Sequence, residues 1–178
     1  MGYDKECDIY EAEDIILRKA KESDLQAIWN NVWKDEEIAR FMLWVPTKTE
    51  EEAVMRMKRT INYQSKIPAY FVCLKETDEA IGFAGIKEEM PGVYEDCGIC
   101  VASKYQRRGF GKQVVNALTD MAFNFFNANE FIYGCFTENK PSAALAKSLG
   151  FTYKESKDEV REHDGYKYVA DYYHKLRV

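Results

Sequence analysis

The feature that most constrains the fold is a glycine-containing turn, residues 106–111, which reads Gln-Arg-Arg-Gly-Phe-Gly. An apolar strand pattern precedes it at Val93–Val101, and apolar residues at helical spacing follow it over Gly109–Phe126. Backbone N–H groups at the start of a helix lack partners within the helix and lie at the positive end of its dipole, so they suit a diphosphate. The sequence therefore predicts a strand, a phosphate-binding turn and a helix in direct succession. The alternative is a helix start that only needs glycine's permissive dihedral angles.

Two common phosphate-binding motifs do not fit this turn. A P-loop, G-x-x-x-x-G-K-[ST], aligned on Gly111 and Lys112 meets Gln106 and Gln113 where Gly and Ser or Thr are required. A Rossmann fingerprint requires a third glycine at the position of Val114. The turn therefore belongs to another class of phosphate site.

Hydrophobic patterning along the chain predicts one α/β domain with a mixed sheet over residues 14–178. Ser23 is predicted to cap a first helix, and a capping box at Thr49 and Glu52 begins a second. A short helix is predicted from about Asn139 to Gly150. Besides Val93–Val101, the predicted strands are Ile15–Arg18, Ala69–Lys75, Ala80–Lys87, Phe131–Cys135, Tyr153–Glu162 and Tyr166–Lys175. Residues 1–13 are predicted to form a mobile acidic arm.

Charge, hydropathy and cysteine usage limit the partners. The net charge of −5 argues against nucleic-acid binding, which needs a basic face, and favours a cationic amine. Uninterrupted apolar runs such as Phe41–Val45 are far shorter than the roughly 18 residues of a membrane span. The first residues lack a signal-peptide pattern, and five scattered cysteines fit a reducing compartment. We therefore expect a cytoplasmic protein without a membrane partner.

At this point the sequence resembles the GCN5-related N-acetyltransferase (GNAT) superfamily, whose cofactor motif is Q/R-x-x-G-x-G/A. Residues 106–111 match every named position, and Asn139-x-x-Ser142 and Leu149-Gly150-Phe151 resemble the second cofactor segment. The resemblance covers about residues 14–176 in element order. The aromatic-rich first helices and the Asn-Lys-Pro-Ser segment resemble the RimJ/RimL-like branch, which acetylates ribosomal-protein N-termini.

The resemblance implies a GNAT fold with about four helices and a mostly antiparallel sheet, splayed between the fourth and fifth predicted strands. The pantetheine arm of acetyl-CoA would lie between Val93–Val101 and Phe131–Cys135, without a metal. The residues that the resemblance assigns to the cofactor are Ile99, Cys100, Val101, Gln106, Arg107, Arg108, Gly109, Phe110, Gly111, Lys112, Asn139 and Ser142.

The implied reaction is direct transfer of an acetyl group to a primary amine in a ternary complex. Because an alkyl amine has a pKa near that of Lys, ~10.4, a base must take its proton. Where many relatives carry a glutamate, this chain has Asp96, whose strand parity gives it the face of Tyr94, Gly98 and Cys100. We expect Asp96 to act through a bridging water, with Glu95 on the opposite face as the alternative. Asp96 could equally be a solvated strand residue or a structural hydrogen-bond acceptor.

The general acid is not given by the family pattern. Many members place a tyrosine seven residues after the asparagine, where this chain has Ala146. By resemblance to the ribosomal-protein branch, Ser142 would hydrogen-bond the departing sulfur; it could instead satisfy backbone donors in its helix.

Four aromatic residues either line the acceptor pocket or belong to the core: Trp29, Trp33, Phe41 and Trp44. Cys97 and Cys100 match C-x-x-C, but on a strand they would point to opposite faces and not share a metal. With two histidines in the chain, no metal site is predicted.

Two other function classes remain open at this stage. One is a noncatalytic acyl-CoA-binding sensor or interaction module, suggested by Ala146 and Asp96; the other is a scaffold whose motif is accidental. The acceptor could be a protein N-terminus, a polyamine, an amino sugar or an amine antibiotic. The resemblance also suggests a homodimer, because relatives commonly dimerise.

Overall fold

The computed structural model describes residues 2–4 and 8–178, whose strands form one sheet. The strands are β1 (Gly2–Asp4), β2 (Ile9–Glu11), β3 (Ile15–Arg18), β4 (Ala69–Leu74), β5 (Ala80–Met90), β6 (Val93–Val101), β7 (Glu130–Phe136), β8 (Thr152–Val160) and β9 (Lys167–Leu176). Their order is β1-β2-β3-β4-β5-β6-β7-β9-β8. Neighbouring strands are antiparallel except β6 and β7, which are parallel. The predicted mixed, mostly antiparallel sheet is confirmed.

Helices cover both faces of this sheet. They are α1 (Leu25–Ile28), α2 (Glu36–Ala39), α3 (Glu50–Gln64), α4 (Phe110–Asp120) and α5 (Lys140–Ser148). A 3₁₀ turn, Glu22–Asp24, precedes α1, and π-helical turns, Trp29–Trp33 and Met121–Phe125, extend α1 and α4. None of the helices in the described part of the chain is long and apolar enough to span a bilayer.

Two hydrophobic cores lie on opposite faces of the sheet. The first core packs α4 and α5, through residues such as Leu118 and Ala146, against the sheet. The second core packs α1, its π-helical extension, α2 and α3, through residues such as Ile28, Trp33 and Met57. Both are required because each face of a central sheet is apolar.

The first two helical regions begin differently from one another. The predicted capping box of α3 is confirmed: Thr49 accepts from the Glu52 N–H at 3.2 Å, and Glu52 accepts from the Thr49 N–H at 3.2 Å. The predicted cap at Ser23 is wrong, because the helical segment already begins at Glu22, with Lys21 as its N-cap. The Asp24 carboxylate accepts from the backbone N–H of Lys21 at 2.8 Å, so Ser23 lies inside the first turn.

Residues preceding the predicted domain extend the sheet. Ile9–Glu11 pairs with Ile16–Arg18 of β3, and Gly2–Asp4 pairs with Ile9–Glu11. The mobility predicted for residues 1–13 stays a prediction, and residues 1 and 5–7 lie outside the described residues.

A bulge interrupts β6 at Cys97–Gly98. Ala84 and Ile86 of β5 lie opposite Ile99 and Asp96, so β6 carries one extra residue between these pairs. Gly98 has a φ of +111°, a conformation that favours glycine. The bulge bends β6 just where it leaves β7.

Candidate active site

A cleft opens where β6 and β7 separate. The two strands pair only over Val93–Glu95 and Glu130–Ile132, after which no ladder joins them. The space between the parted strands, which we call the main cleft, has a volume of about 420 Å³. It leaves the backbone of the second half of β6 free on the side of β7, as the resemblance implied.

The predicted phosphate turn is open to solvent at the start of α4. Gly109 caps this helix with a φ of +84°, and no atom lies within 4 Å of the position that a Cβ would take. The Nε2 of Gln106 donates to the carbonyl of Val101 at 3.0 Å and fastens the turn to the end of β6. Arg107 also has a positive φ of +61°, and neither it nor Arg108 forms an ion pair with a described residue.

Asp96 lies at the point where the strands part. Its Oδ1 accepts from the backbone N–H of Gly98 at 3.0 Å, and its Oδ2 accepts from that of Gly134 on β7 at 2.7 Å. Burial raises the pKa of Asp96 to about 6, although these two N–H groups and Lys87 lower it. The carboxylate therefore bridges two strands whose backbone pairing has ended, and it titrates near neutral pH.

Glu95, the alternative candidate, also lines the main cleft. Burial, followed by repulsion from Asp96 and Glu89, raises the pKa of Glu95 to about 7, against the opposing effect of Lys87 and Lys157. Its carboxylate makes no hydrogen bond to residues 2–4 or 8–178. The cleft thus holds two neighbouring carboxyl groups with raised pKa values, one held by two backbone N–H groups and one without a hydrogen bond to the described residues.

The bulge corrects two predictions about side-chain direction. Tyr94 packs against the first core, on the face expected for Asp96, but Cys100 packs in the second core. The predicted common face of Asp96 and Cys100 is therefore wrong. Cys97 hydrogen-bonds Tyr63 of α3, so both cysteines point towards α3 instead of to opposite faces. Each is a free thiol.

Ser142 and Asn139 meet the cleft at the start of α5. The Oδ1 of Asn139 accepts from the Ser142 N–H at 3.2 Å, which caps the helix. The Ser142 hydroxyl lies 2.7 Å from the hydroxyl of Tyr133, a buried residue of β7 that also lines the cleft. Burial raises the pKa of Tyr133 above its usual value, although the Ser142 contact lowers it. Sequence reasoning missed Tyr133, because only the tertiary fold brings β7 to the first turn of α5.

The four predicted aromatic residues separate into different positions. Phe41 and Trp44 line the main cleft, and Trp33 and Trp44 line a smaller chamber beside it. Trp33 is also buried in the second core at 2% exposure. Trp29 lines neither space; its Nε1 donates to the carbonyl of Thr47 at 2.9 Å and holds the segment before α3.

The remaining predicted residues take different positions relative to the main cleft. Ile99 lines it, whereas Cys100 and Val101 are buried, with side chains directed away from the opening. The turn residues Phe110, Gly111 and Lys112 form the first turn of α4. No group of three or more potential metal ligands is found within residues 2–4 and 8–178.

Comparisons with known proteins agree with this geometry. A family described as acetyltransferase (GNAT) domain matches residues 14–152. An uncharacterized N-acetyltransferase, p20 of Bacillus licheniformis, is 26% identical over 142 residues, which cover 78% of this chain and 79% of that protein.

Solved structures share the fold. A GNAT-family acetyltransferase from Bacillus anthracis superposes with a TM-score of 0.80 at 19% identity, covering 94% of this chain and 98% of that one. RimL, a ribosomal L7/L12 alpha-N-protein acetyltransferase in complex with coenzyme A, superposes with a TM-score of 0.75 at 20% identity, covering 93% and 95%. With the family match, the parted strands and the open turn, the chain belongs to the GNAT acetyltransferase family.

Proposed function

We propose that this enzyme transfers the acetyl group of acetyl-CoA directly to a primary amine, within a ternary complex in the cytoplasm. The observation that carries the proposal is the main cleft: it opens between the parted strands β6 and β7 and holds two carboxyl groups whose pKa values are raised to about 6 and about 7, and an exposed, positively charged turn follows β6. In the reaction a C–N bond forms, the C–S bond breaks, the amine gives up a proton, and coenzyme A leaves as a thiol.

The turn before α4 fits the diphosphate of the cosubstrate. The N–H groups of Phe110, Gly111 and Lys112 lack partners within the helix, and the open space at Gly109 lets an anion reach them. Arg107, Arg108 and Lys112 add positive charge, and Asn139 and Ser142 face the thiol end of the cleft. The free edge Ile99–Val101 supplies backbone groups for the pantetheine arm and a donor for the thioester oxygen.

Asp96 is the proposed base, acting through a bridging water. Its clamped carboxylate has a fixed orientation, and a pKa of about 6 leaves it largely ionised at pH 7 while close to the working pH. Glu95 is a second candidate, because its carboxylate is free and its pKa is about 7. The two are separated by the pH dependence of kcat/KM in Asp96→Asn and Glu95→Gln enzymes, since removing the base removes the acidic limb.

Ser142 and Tyr133 are proposed to stabilise the departing sulfur. A tyrosine with a raised pKa stays protonated, so it can donate to the Ser142 oxygen and orient the serine O–H towards the cleft. This pair would take the place of the tyrosine that many family members carry where this chain has Ala146.

The acceptor is proposed to be a protein N-terminus or a small-molecule amine. The fold likeness to RimL supports the first, and the acidic groups at the cleft suit any cationic amine. A homodimer belongs to the same proposal and is tested by sedimentation at micromolar protein concentration.

Calorimetry with coenzyme A, followed by an amine panel with thiol-release detection, tests the function. We expect binding at a single site and steady turnover with at least one amine. Binding without turnover on any amine would favour the noncatalytic sensor, and absence of binding would overturn both.

A further inference from the structure

A second, smaller space of about 160 Å³ lies next to the main cleft. We call it the side chamber; it lies between α3, the Phe41–Thr47 connector and the sheet. Trp44, Tyr63, Phe83 and the bulge Cys97–Gly98 line both spaces, so the two are neighbours across a shared wall. The side chamber is therefore adjacent to the space in which an acceptor would bind.

Arg56 is the one charged residue that lines the side chamber within the described chain. Its guanidinium carbon lies 4.7 Å from the ring centre of Trp33 and 4.3 Å from that of Trp44. Its Nη1 donates to the Thr47 hydroxyl at 2.9 Å and to the Val45 carbonyl at 3.4 Å. The Nε and Nη2 groups make no hydrogen bond to residues 2–4 or 8–178.

This guanidinium has no carboxylate partner. No ion pair joins Arg56 to a described acid, and the wall of the side chamber contains no Asp or Glu. Burial lowers the pKa of Arg56 to about 10, which reports the cost of holding the charge there, although it stays protonated at neutral pH. Half-buried charges in proteins are usually paired, because an uncompensated one is destabilising.

Trp44 gives an independent sign of a missing partner. Its Nε1 is the buried side-chain polar atom that lacks a hydrogen bond among the described residues. A buried donor without an acceptor costs about 1–3 kcal/mol, and an indole N–H can only donate. The Arg56 guanidinium and the Trp44 indole are therefore two donors at this wall that an acceptor oxygen would satisfy.

The two spaces differ in the charged groups that line them. The main cleft holds two carboxyl groups, Glu95 and Asp96, together with Lys87, whereas the side chamber holds Arg56 and no acid. A ligand with an amine at one end and an anion at the other matches this arrangement, because each end meets the opposite charge. The volume suits a carboxylate or a phosphate group, since one water occupies about 30 Å³ in the liquid.

We propose that the side chamber is a subsite for an anionic group, carried by the acetyl acceptor at the end away from its amine, with Arg56 as its charge partner. The proposal rests on the proposed acetyltransferase function and narrows the acceptor to dipolar amines. Polyamines and other purely cationic amines would then be poor acceptors.

The alternative is that Arg56 only fastens the connector to α3. Its hydrogen bonds to Val45 and Thr47 and its stacking on two indoles would serve that purpose. Such a role predicts a change in stability with no dependence on the charge of the acceptor.

The test measures kcat/KM for matched pairs of amines, with acetyl-CoA saturating. One set of pairs is dipeptide acids and their C-terminal amides; another is aminoalkyl phosphates and the corresponding amino alcohols. We expect a preference of tenfold or more for the anionic member in one set, which also names the anion. In Arg56→Met that preference should collapse at least tenfold, and comparing each variant with the wild type cancels differences in amine basicity.

Two further variants keep the result interpretable. Arg59→Met removes an exposed arginine from the same helix and should keep the preference. Arg56→Lys retains the charge but not the planar guanidinium. Compared with Arg56→Met, it should restore part of the preference for the anionic amine, more for phosphate than for carboxylate if Arg56 binds bidentately. Melting temperatures with bound coenzyme A report folding of each variant.

The outcomes are distinct. Turnover of neutral and anionic amines at equal kcat/KM, or an equal loss on both in Arg56→Met, would overturn the subsite and leave the acetyltransferase function standing. Failure to bind coenzyme A would overturn the function itself, and with it the subsite.

Discussion

Two arginines, Arg18 and Arg56, show how differently two regions of this molecule accommodate a charge removed from water. Arg18 makes a bidentate pair with Asp24, both contacts at 2.8 Å, and its Nε reaches Asp78 at 2.6 Å. Burial lowers the pKa of Arg18, but the hydrogen bonds to both acids outweigh it and raise the pKa overall. Arg56 has no acid beside it, and burial leaves its pKa lowered.

The difference separates groups that build the fold from groups left for a ligand. Around Arg18 the chain completes its own hydrogen bonds and joins β3, the first helical segment and the turn between β4 and β5. Around β6 and β7 it leaves the turn at Gly109, the free Glu95 and the unpaired guanidinium open. Substitutions in the closed region should therefore change stability, and those in the open region should change function.

The largest effect is expected in the closed region. Asp24→Ala leaves Arg18 buried with Asp78 as its remaining acidic partner, which should lower the free energy of unfolding by about 3–5 kcal/mol. Urea unfolding measures it, with Glu22→Ala, an exposed neighbour, as the control. A loss below about 1 kcal/mol would mean that Asp78 and water compensate and that this region is less closed than its contacts indicate.

Substitution at the phosphate turn should act on the cosubstrate instead. Gly109→Val places a side chain in the open space at a φ of +84°, which costs about 1–2 kcal/mol of strain and blocks the N–H groups of α4. We expect at least a tenfold weaker affinity for coenzyme A by calorimetry. Gly165→Val is the matched control, because Gly165 has a φ of +70° and the same open surroundings in the β8–β9 turn. Equal affinities in the two variants would show that the turn does not hold the diphosphate.

The sequence predicted the order of elements well but not the details that need long-range contacts. The capping box of α3 and the turn at 106–111 are local signals, and both are confirmed in position. The cap at Lys21 depends on the Asp24 carboxylate, which Arg18 at the end of β3 binds in a bidentate pair, so the local preference for Ser23 was misleading. The bulge had one usable signal, Gly98 inside a strand pattern.

The site was predictable only where the motif is contiguous. The turn at 106–111 was recognised from its place between a strand and a helix, and the Asn139–Ser142 segment was assigned by its resemblance to the GNAT family. Tyr133 and Arg56 could not, because their roles depend on which partners the tertiary fold brings to them or withholds. No local sequence pattern identifies a half-buried arginine that lacks an acidic partner in the fold.

A moderate effect is expected from the hydroxyl pair in the cleft. Tyr133→Phe removes the partner of Ser142 and should lower kcat about fivefold to tenfold, since one hydrogen bond contributes about 1 kcal/mol. Steady-state kinetics should show little change in the KM for acetyl-CoA. Tyr153→Phe is the control, because its hydroxyl lies 2.8 Å from that of Ser156 on the exposed β8 strand. If both variants turn over at the wild-type rate, Tyr133 has only a packing role.

The smallest expected effect is on the pH dependence of stability. It tests whether burying the two carboxyl groups of the open region destabilises the folded protein. The pKa values of Glu95 and Asp96 are raised to about 7 and about 6, above the ~4 of carboxyls in the unfolded chain. Between about pH 4 and 7 the folded state therefore holds more protons than the unfolded state. The free energy of unfolding contributed by these two groups therefore falls as pH rises through that window. Glu95→Gln should raise the melting temperature by a few degrees at pH 8 and by less at pH 5. The control is Asp158→Asn on the exposed strand β8, which should change the melting temperature by the same amount at pH 8 and at pH 5. A Glu95→Gln enzyme that gains nothing at pH 8 would mean that the Glu95 carboxylate is as well solvated in the cleft as in the unfolded chain, and that this side of the sheet carries no such cost.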